Sequence, residues 1–201
     1  MSFFRKSVDR FREIVDRVSD ILELMLAVLF AITMFFTFVL NVATVSGDSM
    51  EPTLKSGDKV FVTVLSEKVR NGDIVVINCK KAVIFDDDNA LQHRRGLGKD
   101  IVKRVIAVAG QEINIDFKAG TVSVNGVLLE EPYVAMPTNR DLGAFSGKYP
   151  FIVPAGYVFV MGDNRGISRD SRDRAVGLVS CDSIVGKVIM RYSPLNRLGF
   201  V

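Results

Sequence analysis

The run from Leu24 to Leu40, LMLAVLFAITMFFTFVL, carries no charge, and its extension from Ile21 to Val45 adds only Glu23 among charged residues. Such a stretch has to leave water as a unit, and a bilayer core takes about 20 apolar residues as a helix. A cleavable secretory segment has a shorter apolar region, about 7–15 residues, followed by a small-residue cleavage site. Asn41 to Val45 offers no good site of that kind. Residues 21–45 therefore read as an uncleaved transmembrane anchor. Arg5, Lys6, Arg10, Arg12 and Arg17 precede it, whereas only Lys55 and Lys59 follow closely. Because basic flanks stay cytoplasmic, the amino terminus is expected inside and residues 46–201 outside.

Within the cytoplasmic segment 1–20 and just beyond it, Phe4, Val8, Phe11, Val15, Val18 and Leu22 recur at spacings of three and four. That is the period of an amphipathic helix. Two readings stay open: a helix lying on the membrane or on a partner, and a helical extension of the anchor with a solvated charged face.

Past the anchor, Val- and Ile-rich runs alternate with Gly, Asn, Asp and Pro at short intervals, which predicts a mainly β domain. The expected strands are Lys59–Leu65, Asp73–Asn78, Ile101–Ala109, Glu112–Asp116, Thr121–Val124, Val127–Leu129, Tyr157–Met161 and Ile184–Tyr192. Asn125-Gly126, between TVSV and VLL, predicts a hairpin turn, since both residues tolerate positive φ. Residues 130–154, richer in Pro, Gly and polar residues, read as an excursion or small subdomain. The basic stretch His93 to Lys99 reads as a solvated loop, because Gly96 and Gly98 interrupt regular structure.

A net charge of +3 with no basic stripe gives no support for nucleic-acid binding. Cys79 and Cys181 lack metal-ligand spacing, so no metal site is expected; a disulfide and two buried free thiols remain equally open. No cofactor is implied.

Three segments can carry chemistry. In Ser46-Gly47-Asp48-Ser49-Met50-Glu51-Pro52, glycine and proline fix a bend around a serine, which can serve as a turn residue or as a nucleophile. In DIVKRVIAVAG, Lys103 shares one strand face with Ile101 and Val105. It can snorkel to solvent, or, if desolvated, lose its proton readily enough to act as a base. The polar loop Gly162 to Arg172, GDNRGISRDSR, follows the strand YVFV and concentrates hydroxyls, carboxylates and guanidinium groups suited to holding a base in place. The lone histidine, His93, has poor prospects as a triad member, because only Asp86 to Asp88 and Asp100 lie near it in sequence.

Together, GDSMEPTL at 47–54, GDIVVI at 72–77, KRVIAVAG at 103–110 and GDNRGISRDSR at 162–172, in this order behind an anchor, resemble the bacterial type I signal peptidases, which are Ser/Lys proteases. The resemblance covers nearly the whole chain. It implies an irregular antiparallel β-barrel catalytic domain with one N-terminal transmembrane helix, in the bacterial cytoplasmic membrane with the catalytic domain on the outer face. The activity implied is removal of N-terminal signal peptides from secretory preproteins near the lipid bilayer, through an acyl-enzyme. Ser49 matches the nucleophile, Lys103 the general base and Ser168 a hydroxyl that orients the lysine. Asp170 and Arg172 match a supporting ion pair, with Asp163 and Arg165 in the same motif. Substrate is expected to bind extended along Val45, Gly47, Met50, Ile101 and Val102.

Some members carry a serine two positions before the nucleophile, where this chain has Gly47, and an Asp-Asn pair where it has Gly166-Ile167. A non-catalytic signal-peptidase-like envelope or pilus assembly module is the alternative function. A self-cleaving repressor is disfavoured, because an anchor stands where a DNA-binding region belongs.

Overall fold

Along Glu112–Asp116, Ile113 and Ile115 are buried while Glu112, Asn114 and Asp116 keep solvent contact. This period of two is that of a strand with one covered face. Thr121–Val124 repeats this alternation, whereas the apolar run from Ile74 to Ile77 is buried throughout. The structure is a computed structural model that describes residues 2–38, 40–64 and 68–201, with side chains at 12–34, 37, 40–64 and 68–201. The chain divides into two compact units, Met1–Asn41 and Val42–Val201.

The first unit is one helix, α1 (Ser2–Phe38). Its apolar side chains from Ile14 to Met34, including Leu24, Leu26, Leu29 and Phe30, are exposed. Phe4, Val8 and Phe11 of the expected amphipathic face lie outside the described side chains. Among the described residues no helix is long and apolar enough to cross a membrane. The uncharged run continues through Phe35, Phe36, Phe38 and Val39, which fall outside the described side chains. The segment 21–45 is also not one helix: α1 ends at Phe38 and Leu40–Thr44 is a strand. β-branched Val42 and Thr44 favour the extended form once ladder partners are available.

Strands β1 (Leu40–Thr44), β2 (Lys59–Thr63), β3 (Ile74–Phe85), β4 (Leu91–Val108), β5 (Glu112–Asp116), β6 (Thr121–Val124), β7 (Val127–Leu128), β8 (Phe151–Ile152), β9 (Tyr157–Met161), β10 (Val179–Ser180), β11 (Ile184–Ser193) and β12 (Gly199–Phe200) follow in chain order. One sheet runs β1-β2-β11-β3-β4-β9-β10, with β12 added to β11, and a second runs β7-β6-β5-β8. The fold is mainly β and antiparallel, but the expected barrel is not closed. Closure needs a hydrogen-bonded seam between the first and last strands. Here β1 and β10 end at opposite edges, and β10 has only two residues before the 3₁₀ turn Cys181–Ser183.

β3 lies between β11 and β4, so its apolar run is buried on both faces. Val75, Ile77 and Cys79 join Ile101 and Val105 in one core cluster, while Ile74 and Val76 join Val45, Met50, Leu54 and Val60 in another. A third cluster packs β5 and β6 against Phe145, Val153 and Phe159. The segment 130–154, little of which is regular, thus supplies core side chains of its own. Asn125 and Gly126 adopt φ of 52° and 75°, and Val124 pairs with Val127 across the turn.

The expected loop at His93–Lys99 is instead strand. Cys79 pairs with Lys99 and Lys81 with Arg95, so Gly96, Leu97 and Gly98 form a bulge opposite Lys80. A Cβ on Gly96 would stand 2.5 Å from the Cys79 carbonyl oxygen, and Gly98 has φ +71°. These glycines shape the hairpin without ending it. β3 and β4 are correspondingly longer than expected, whereas β2 ends at Thr63 and Leu65 lies outside the described residues. Both cysteines are free, Cys79 buried and Cys181 exposed, which removes the disulfide and one of the two buried thiols.

Candidate active site

The turn after β1 is anchored from below. Met50 and Leu54 are buried in the cluster with Val45 and Val60, and Leu54 N–H donates to the Met50 carbonyl oxygen at 2.9 Å. Gly47 takes φ +86°, a left-handed conformation that glycine adopts without strain. Ser49 is therefore held half-buried at a bend whose next residue is a core side chain. Its carbonyl oxygen accepts from the Asn164 N–H at 3.0 Å, which ties the turn to the polar loop 162–172.

Lys103 reaches this turn from β4. It pairs with Val75 in the ladder and lies between Ile101 and Val105 on the strand face, with 3% of its surface exposed. Its Nζ stands 2.7 Å from Ser49 Oγ and donates to the Val102 carbonyl oxygen, also at 2.7 Å. Burial disfavours the ammonium and brings the pKa down to about 8, against the opposing pull of Asp170, while Lys99 pushes in the same direction as burial.

The polar loop lies beneath this pair. Asp170 and Arg172 form a fully buried bidentate pair at 2.9 and 2.8 Å, and Asp170 also accepts the Gly162 N–H at 3.0 Å. Burial alone would raise the Asp170 pKa. The Arg172 guanidinium and the Gly162 N–H more than offset this and hold the carboxyl below its ordinary range. Asp163 and Arg165 do not pair with each other. Asp163 accepts from Arg104 at 2.8 and 2.7 Å and from the Thr53 hydroxyl, whereas Arg165 binds Glu131 and the Thr138 hydroxyl.

Ser168 differs from expectation. Its Oγ is buried without a well-formed hydrogen bond, so the expected bond to Lys103 is not made. The hydroxyl lies near Asp170, which it helps to keep ionised, and packs on Gly162, where a Cβ would stand 2.2 Å from Ser168 Oγ and 2.4 Å from the Ser49 carbonyl oxygen. Only a glycine lets the Ser49 turn and Ser168 meet there. Lys103 instead takes the Val102 carbonyl as its second acceptor.

Val45, Gly47, Met50, Ile101 and Val102 line a cleft of about 460 Å³ together with Ser49, Lys103, Leu97, Ile167 and Arg169. His93 is opposite Val83, ten positions along β4 from Lys103, roughly 30 Å at strand rise. It takes no part in the site. Among the described residues no His/Cys/Asp/Glu group could hold a metal ion. Arg104, Thr53, Glu131, Tyr133 and Thr138 were not foreseen. Arg104 carried a signal, since an arginine inside an apolar strand has to find a carboxylate when it is buried; the other four had none.

A sequence model of the family described as "Signal peptidase, peptidase S26" matches residues 18–193. The chain belongs to this family. It is 32% identical over 196 residues to signal peptidase IB of Staphylococcus aureus (strain COL), covering 89% of this chain and 92% of that protein. It is 34% identical over 166 residues to signal peptidase I of Leptolyngbya laminosa, covering 81% and 73%. A crystal structure of a signal peptidase I from Enterococcus faecalis V583 matches with 27% identity and a TM-score of 0.44, over 60% of this chain and 97% of that one. As a signal peptidase of the S26 family the protein is a peptidase. The cleft that holds Ser49 and the buried Lys103 is lined by the turn after β1, by β4 and by the polar loop, segments that carried the resemblance.

Proposed function

We propose that this signal peptidase is a membrane-anchored serine endopeptidase that removes signal peptides from exported preproteins, with Ser49 as nucleophile and Lys103 as general base. The observation that carries the reading is the 2.7 Å approach of a buried lysine with pKa about 8 to the hydroxyl of a serine in an open cleft. At pH 7 that pKa leaves roughly one lysine in ten neutral, against well under one in a thousand at the ordinary value. In the neutral form the direction of the bond reverses, and the Ser49 hydroxyl donates to the Nζ lone pair.

Ser49 Oγ then attacks the carbonyl at the cut as its proton passes to Lys103. The bond to Val102 keeps one N–H occupied, so the lone pair is directed at the serine. The Ser49 backbone N–H stabilises the developing oxyanion. Lys103 returns its proton to the leaving amine, the mature protein departs and an acyl-enzyme remains. Lys103 next takes a proton from water, which attacks the ester and releases the signal peptide. Substrate lies extended, with the side chains of the first and third residues before the cut against Val45, Met50 and Ile101. Asp163, Arg165, Ser168, Asp170 and Arg172 support the loop beneath.

Since the neutral amine is the active form, kcat/KM on a signal-sequence peptide should rise with pH through an apparent pKa near 8. His93→Ala should keep that profile. A rise centred near 10.5, or loss of the acid limb in the histidine variant, removes Lys103 as the base.

The anchor in this proposal is the apolar part of α1, from Ile21 to Phe38. At about 1.5 Å per residue it is roughly 27 Å long, close to the ~30 Å of a hydrocarbon core. The basic residues before it place the amino terminus inside. Protease added to intact spheroplasts should therefore digest the β domain and leave a short protected fragment. Protection of the whole domain refutes this orientation.

A further inference from the structure

Glu131 sits in the irregular segment after β7, outside every motif that carried the resemblance, yet it meets two parts of the site. Its carboxylate accepts from both terminal nitrogens of Arg165, at 2.9 Å from Nη1 and closer from Nη2, and from the Tyr133 hydroxyl at 3.0 Å. Arg165 is 1% exposed and also donates through Nε to the Gly162 carbonyl oxygen at 3.1 Å. Both backbone polar groups of Gly162 are thus held, its N–H by Asp170 and its carbonyl by Arg165. This is the residue on which the Ser49 carbonyl and the Ser168 side chain pack. The Tyr133 ring in turn lies under the Arg104 guanidinium at 4.0 Å, and Arg104 neighbours Lys103 on β4 and pairs with Asp163.

We infer that Glu131 is a positioning residue for the reaction. Through Arg165 and Gly162 it sets the loop that seats Ser49, and through Tyr133 and Arg104 it steadies the strand that carries Lys103, so that both members of the pair are held from one carboxylate. A buried arginine supplied with its carboxylate has one favoured geometry, whereas an amide there leaves a buried charge uncompensated. The inference rests on the Ser49–Lys103 reading above and extends it to a residue that touches neither substrate nor reacting atoms.

The test uses the full-length, detergent-solubilised enzyme and one signal-sequence peptide. Glu131→Gln should lower kcat by about tenfold or more with KM within about threefold, measured well below the unfolding temperature of each variant. Tyr133→Phe, which keeps the ring over Arg104 but loses the bond to Glu131, should lower kcat in the same direction by less. The double variant should be no worse than Glu131→Gln alone, because both act through one network. A wild-type kcat in Glu131→Gln, or a loss that disappears when activity is expressed per folded molecule, overturns the positioning role. If Glu131→Gln fails to fold, the Tyr133→Phe kcat decides, an unchanged value being the refuting result. Ser49→Ala, run alongside, separates the two readings: its activity sinks the dyad, whereas an inactive Ser49→Ala with a normal Glu131→Gln sinks only the inference drawn here.

Discussion

Ser49→Ala should lose roughly 10⁴-fold or more of its peptide-cleaving activity with an unchanged unfolding temperature, because the hydroxyl is needed only in the chemical step. Lys103→Arg should be equally inactive, since a guanidinium does not give up its proton in a protein. Lys103→Met is the more informative variant. The lysine is 3% exposed with its pKa lowered to about 8 by burial, below the ordinary 10.5. Between those two values the unfolded chain holds a proton that the folded chain has released, so stability rises with pH through that window. Below it the full penalty of a buried ammonium applies. Removing the charge should then stabilise the fold at pH 7 by up to about 3 kcal/mol while abolishing activity, the Coulombic pull of Asp170 reducing the gain. Thermal denaturation at pH 7 and pH 10.5 measures this. A methionine variant that is less stable than wild type at pH 7 shows that the lysine is not held at a cost, and with it the basis for a neutral base disappears.

Asp170→Ala should be the most destabilising single change in the loop. It leaves the Arg172 guanidinium, with no exposed side-chain surface, without its carboxylate, and strips the Gly162 N–H of its acceptor. Breaking a buried pair from one side typically costs about 3–5 kcal/mol, a large share of the roughly 5–15 kcal/mol that holds a domain. At ~2–4 °C per kcal/mol the unfolding temperature should fall by roughly 10 °C. A second check follows from the carboxylate's lowered pKa. The stability that Asp170 contributes is complete above the ordinary carboxylate value and lost as the pH falls through the lower folded value. Wild type should therefore lose stability on acidification below about pH 4, and the alanine variant should show less of that dependence. Equal acid profiles would mean that Asp170 is not the paired carboxylate the geometry describes. Replacing Arg172 as well by an apolar residue should recover part of the loss, because the uncompensated charge is then gone.

How much of this was legible before the fold is clearest at β4. The alternation that places Ile101, Lys103 and Val105 on one face is a local property of an extended backbone, so it could be read directly. The glycines at 96 and 98 misled because glycine marks both the end of a strand and a bulge within it, and only the opposite strand tells the two apart. Here the Cys79 carbonyl approaches so closely that a side chain at 96 has no room. The open sheet was invisible for a related reason: whether β1 and β10 meet depends on the path of every strand between them.

At the site the division is between spacing and partnership. The amino-acid sequence by itself determined the apolar segment, the mainly β character, the Asn125-Gly126 hairpin, and which serine, lysine and polar loop stand in the family's order. All of these rest on local backbone preferences or on motif order, which need no knowledge of distant contacts. Tertiary structure alone decided that Asp163 pairs with Arg104, that Arg165 goes to Glu131, and that Lys103 turns to Val102 and not to Ser168. A buried charge takes whichever opposite charge the packing brings within reach, and for Arg165 that partner is 34 residues away in the chain. No periodicity links residues so far apart, so their pairing exists only once the strands have packed.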